Sequence, residues 1–117
     1  MNKNSFIDTD IIVKIGGFKG ENLLSKILCS FNSNLHIHKY LKDKELIFCE
    51  NALKQLEEMI TLTQINVMSE NDLSDTELVD YQSALTILAT EMKVDLNKPR
   101  SKNAGEVKTM ALAFAKD

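Results

Sequence analysis

The chain contains no tryptophan, one proline and two cysteines among 117 residues. A single proline leaves few forced breaks inside helices or strands. Cys29 and Cys49 have no Cys-x-x-Cys spacing, so no cysteine-based zinc motif is encoded, and both read as buried free thiols. With no secretory leader pattern at the N-terminus, they point to a reduced, cytoplasmic setting. No apolar run approaches the roughly 20 residues that cross a membrane. A surplus of positive charge is also missing. The net charge is −3 with 26% charged residues, which argues against nucleic-acid binding through bulk electrostatics alone. Nucleic acid is not thereby excluded, because a metal ion in an acidic pocket recruits phosphate locally. What is present is 44% apolar residues, enough to bury one sizeable core, and residues 1–117 read as one domain. No internal repeat or low-complexity tract interrupts it.

Apolar periodicity orders the elements. Residues 6–15 form a near-continuous apolar run and read as a buried first strand, broken by Gly16-Gly17-Phe18-Lys19-Gly20. Glu21 to Phe31 is amphipathic, with Leu23, Leu24, Ile27, Leu28 and Phe31 on one helical face. After a turn at Asn32-Ser33-Asn34, the stretch from Leu35 to Leu41 alternates as a second strand, with Leu35, Ile37 and Leu41 facing one way. A short helix is expected over 42–48, a clearer one over 51–62, and a short strand over 64–68. Ser74-Asp75-Thr76-Glu77 is a capping box that opens the best-signalled helix, carried by Leu78, Tyr81, Leu85, Leu88, Ala89 and Met92. Residues 95–102 form a loop, and Asn103 reads as the N-cap of a last helix through Glu106, Met110, Leu112 and Phe114.

Asp8 carries the most information. A carboxylate inside an apolar strand is costly unless a cation or a hydrogen-bond donor meets it. A divalent metal at a strand end supplies one such partner. The other reading is that Asp8 and Asp10 end a short strand and cap a turn. Glu45, after the second strand, and Glu106, opening the last helix, complete a set of carboxylates on separate elements. Mg²⁺ or Mn²⁺ takes hard oxygen ligands and keeps several waters, so two to four such groups suffice. In α/β sheets they would meet at the carboxyl ends of the strands. Each Glu also has a plain structural role available. Glu106 stands three residues after Asn103 in a capping arrangement, and Glu45 follows Lys42-Asp43-Lys44 on a charged face.

His36-x-His38 puts two imidazoles on one strand face, but no Cys or His cluster nearby in sequence completes the roughly four ligands of a zinc site. Surface histidines on an exposed strand face are expected. The basic loop Lys98-Pro99-Arg100-Ser101-Lys102 is a solvated linker by default. Its place just before Glu106 makes Lys98, Arg100 and Lys102 candidates for holding a nucleic-acid backbone.

Order and spacing resemble a known family. Phe6-Ile7-Asp8-Thr9-Asp10-Ile11-Ile12 resembles the opening strand of PIN-domain nucleases, where an Asp followed by a small hydroxylated residue ends an apolar strand. Leu35-His36-Ile37-His38 through Glu45-Leu46 looks like their second strand and acid-bearing helix. Asn103-Ala104-Gly105-Glu106-Val107-Lys108-Thr109-Met110-Ala111-Leu112-Ala113 is similar to the Gly-Glu-led, alanine-rich helix of one PIN subgroup.

The resemblance implies an α/β fold: a small, mostly parallel sheet of about three strands flanked by helices. It also implies a Mg²⁺- or Mn²⁺-dependent endonuclease, acting on single-stranded RNA, as the toxin of a toxin–antitoxin pair with an antitoxin as partner. Asp8 matches the first acid, Glu106 that of the Gly-Glu helix, and Glu45 the second acid, with Asp43 competing. Asp10 would be an auxiliary metal ligand. The family's next acidic strand is missing before Asp117, so the fold is expected to be incomplete at the C-terminus, short of full catalytic competence, and prone to self-association along its first strand. The competing expectations are a non-enzymatic interaction protein of phage or mobile-element origin, and a mostly helical bundle.

Overall fold

A computed structural model describes residues 3–17, 23–31, 33–98 and 101–116. Three strands, β1 (Lys3–Phe6), β2 (Ser33–His38) and β3 (Asn66–Met68), form a parallel sheet in the order β1-β2-β3. Phe6 lies opposite His36, and His36 opposite Asn66, so β2 is the central strand. The helices are α1 (Thr9–Gly16), α2 (Leu23–Leu28), α3 (Glu50–Thr61), α4 (Asp75–Glu91) and α5 (Ala104–Lys116). Between β2 and α3 the chain makes a π turn (Leu41–Glu45) and a 3-10 turn (Leu46–Phe48). The arrangement is α/β, and a helical bundle is ruled out by the sheet.

Both faces of the sheet are covered, which is the rule for parallel strands joined by crossover helices. Alternate residues therefore enter two different cores. Ile7, Leu35, Ile37 and Val67 meet Ile12, Leu24, Leu28, Leu56 and Met59 from α1, α2 and α3. On the other face Phe6 and Met68 meet Tyr81, Leu85, Ala111, Leu112 and Ala115 from α4 and α5. An ion pair between Glu77 and Lys116, 3.0 Å long, joins the start of α4 to the end of α5.

The first strand is shorter than the apolar run predicts. It ends at Phe6, and Ile11, Ile12, Val13 and Ile15 are helical. Ile12, Val13 and Ile15 are apolar because α1 packs on the sheet, Ile12 being fully buried, whereas Ile11 faces outward at 43% exposed. Asp8 ends the strand and caps α1 from an extended backbone, its Oδ1 accepting from the Thr9 amide at 2.7 Å. The glycine break begins one residue inside the helix. A Cβ on Gly16 would stand 2.8 Å from the Ala52 Cα, so the absence of a side chain is what lets α1 and α3 cross this closely. Only residues 23–28 of the second expected helix are helical among the described residues, and Ile27 and Phe31 are exposed rather than core-facing.

The capping box at Ser74 and Glu77 is present in both directions, at 3.2 and 3.0 Å. Asn103 does not cap α5 as predicted. Its φ of 66° is left-handed, whereas an N-cap takes an extended backbone, and no side-chain bond links it to the first turn among the described residues. With four glycines in the chain, left-handed helix ends fall to other residues. Thr63 follows α3 at φ 54°, allowing the Gln64 amide to reach the Met59 carbonyl at 2.9 Å. A β-branched residue is poorly suited to that region. Thr63→Gly is expected to stabilise the fold by roughly 0.5–1 kcal/mol, the relief of left-handed strain exceeding the added chain entropy; a urea midpoint at or below the parent's would contradict this.

Candidate functional site

The carboxyl ends of all three strands open on one edge of the sheet, where open α/β folds place their ligands. Asp8 and Thr9 follow β1 there. The turn carrying Glu45 follows β2, and Ser69 and Glu70 follow β3. Thr9 Oγ1 donates to Glu45 Oε1 at 2.5 Å. The Glu45 carboxylate also lies against Gly105, where a Cβ would overlap both its oxygens and a methyl of the buried Leu41. Glu45 is thus in contact with the residue after Asp8 and with the residue before Glu106. Three segments far apart in sequence meet at this one side chain.

Each candidate residue has a definite place. Asp8 and Glu45 are half-buried, while Asp10 and Glu106 are exposed. Asp8 Oδ2 and Glu45 Oε2 accept no hydrogen bond among the described residues, each carboxylate being engaged through its other oxygen. Asp43 lies 4.0 Å from Lys39. Thr109, one turn beyond Gly105 on the same face of α5, is 6% exposed, and its hydroxyl has no partner among the described residues. Also among the described residues, no three His, Cys, Asp or Glu side chains cluster closely enough to hold a metal ion unaided. A cation here would rest on Asp8 and Glu45, with water and substrate oxygens completing its shell, which is a normal arrangement for Mg²⁺.

Lys98 lines a pocket of about 410 Å³ with Tyr40, Asp43 and Lys44. Lys102 is exposed and Arg100 lies outside the described residues. A second pocket of about 200 Å³ shares Tyr40, Asp43 and Lys44, and adds Lys39, Lys108, Glu70 and Asn71. The two pockets share residues of the turn that carries Glu45, and four lysines and two carboxylates line them, in a chain whose net charge is −3. Lys108 Nζ sits 4.3 Å from the Tyr40 ring centroid.

The histidines are the clearest correction. Neither lies on the surface: His36 is 8% and His38 2% exposed. Periodicity sends polar residues outward, but here α4 and α5 cover the second face. His36 stacks on Phe6 and meets Asn4 Oδ1 at 3.1 Å. His38 Nδ1 accepts the Tyr40 amide at 3.0 Å, and its Nε2 lies 3.0 Å from Tyr81 Oη and 3.4 Å from Glu70 Oε2. Burial lowers the His38 pKa to about 4, with Lys108 acting in the same direction and Glu70 opposing. Burial raises the Tyr81 pKa, and the Glu70 charge adds to it. Burial also lowers the His36 pKa, assisted by Lys116. The thiols depart from expectation as well: both are free, but Cys29 is exposed and Cys49 half-buried. No helix among the described residues is long and apolar enough to cross a membrane. Comparison with protein-family models, curated proteins and solved structures yields no match.

Proposed function

We propose that the chain is a PIN-type, Mg²⁺- or Mn²⁺-dependent phosphodiesterase acting on single-stranded RNA, with Asp8 and Glu45 holding the cation and Glu106 at its rim. The observation that carries this reading is the position of Glu45, bonded to Thr9 and seated against Gly105. It brings the three acid-bearing segments to the carboxyl edge of a parallel sheet. When bound, the cation would activate a water and neutralise charge developing on phosphate. The residues themselves do the positioning. The Thr9 hydroxyl and amide each hold one oxygen of Glu45 and Asp8, which orients the other oxygen of each carboxylate. Gly105 leaves room for this and lets α5 approach closely. The two lysine-lined pockets that share Tyr40 on the turn carrying Glu45 suit the phosphates and bases of a single strand. In this reading an antitoxin is the natural protein partner, and Asp10 and Lys102 are peripheral.

A non-enzymatic interaction protein is the second reading, favoured by Val79 and Ile87, which are 62% and 63% exposed along α4. Metal separates the two. Mn²⁺ at one hundred times its Kd should stabilise the fold by about 2.7 kcal/mol, because it binds only the folded site. Asp8→Asn should abolish the rise in melting temperature. It should leave the metal-free value nearly unchanged, since Asn caps helices about as well as Asp. Glu45→Gln should act likewise, and both should lose Mn²⁺-dependent cleavage of a single-stranded RNA oligonucleotide. An equal metal-induced rise in parent and Asp8→Asn would place the cation elsewhere and end this assignment.

A further inference from the structure

His38 stands at the end of the central strand, and residues 39 and 40 that follow it are already helical. The helical stretch running through the π turn to Glu45 therefore begins at His38. The first amides of any helix lack internal partners, and a side-chain acceptor normally takes one of them. Here that acceptor is an imidazole: Nδ1 receives the Tyr40 N–H at 3.0 Å. This fixes the tautomer, with the ring proton on Nε2 directed at Tyr81 Oη and Glu70 Oε2. One buried ring thus ties α4 and the turn after β3 to the segment that presents Glu45.

We propose that His38 is a titratable helix cap, a positioning residue that holds the Glu45-bearing turn in place while its ring is neutral. Protonation at Nδ1 turns the acceptor into a donor, which cannot receive the Tyr40 amide. It also puts a positive charge at a helix N-terminus, where the backbone dipoles disfavour it. The turn is then released, and with it the seat of Glu45 against Thr9. The consequence for metal holding rests on the function proposed above, whereas the capping itself does not.

The charged and titratable groups facing the ring are Glu70 from the turn after β3, Tyr81 from α4 and Lys108 from α5. Asp43, Lys39 and Lys44, on the segment that His38 caps, line the same pocket. Glu70 favours the charged ring and Lys108 the neutral one. These opposed influences supply the test, which uses the full chain without metal. In an NMR titration from pH 7 to 3.5, the His38 ring and the Tyr40 amide should shift with one shared midpoint near pH 4. Glu70→Gln should lower both midpoints together and Lys108→Ala should raise both together, with the Thr9 resonances following. Nearby carboxylates respond to both charges in the same sense as the ring, so a third variant separates them. In His38→Asn, which offers an acceptor but does not titrate, the Tyr40 amide should no longer move across this range, and one that still titrates there would overturn the proposal. A Tyr40 amide that stays put while the His38 midpoint moves, or that moves with a different midpoint, would overturn the proposal. Loss of a metal response with intact tracking would count against the proposed function alone.

Discussion

Ile37→Ala is expected to cost about 2–5 kcal/mol, the range for removing a large aliphatic side chain from a core that relaxes only in part. Ile37 is fully buried in the middle of the central strand, among Leu24, Leu28, Leu56 and Met59. Against a total stability of about 5–15 kcal/mol for a typical domain, that is a large fraction. Ile87→Ala is the matched control. Ile87 is 63% exposed on α4, and exposed truncations usually stay within about 0.5 kcal/mol. Urea unfolding of both variants measures the difference. A small effect at Ile37 would mean that the face covered by α1, α2 and α3 is not a single packed core.

The same strand marks the boundary of what the sequence revealed. The α/β class, the three strands and the α4 capping box were legible, because each rests on a local pattern. The first strand is shorter than its apolar run, because such a run does not say whether it is extended or helical. Ile12, Val13 and Ile15 are apolar because α1 lies on the sheet, not because they belong to it. Alternation directs His36 and His38 toward solvent, because polar residues at alternate positions normally face water. That rule fails in a parallel sheet with helices on both sides. The short run Leu35-His36-Ile37-His38 between turns was the available signal, and a strand buried on both faces was the reading it allowed. Lys44 shares one pocket with Lys108 and another with Lys98, residues far apart in sequence that no local pattern connects. Glu45 was distinguishable from Asp43 only through Thr9 and Gly105, two small residues whose role is contact rather than charge.

Stability is expected to fall by up to about 3 kcal/mol between pH 6.5 and 4 through His38 alone, its pKa dropping from 6.5 unfolded to about 4 folded. The folded value is the lower one, so across this window the unfolded chain binds more protons. Stability therefore rises with pH, is fully present above the unfolded value, and is lost as pH falls toward the folded one. His36, whose pKa is also lowered by burial, contributes with the same sign, so the parent protein alone does not isolate His38. His38→Asn does. An amide side chain there offers an acceptor to the Tyr40 N–H and a donor toward Tyr81, but it does not titrate. The variant should be less stable than the parent at pH 7, and the gap should narrow steadily as the pH is lowered to 5. Urea unfolding at pH 7, 6 and 5 gives both curves. Parallel curves with a constant gap would mean that folding leaves the His38 pKa unchanged, so that burial does not hold the ring neutral. A widening gap would mean that the folded protein binds the proton more tightly than the unfolded chain.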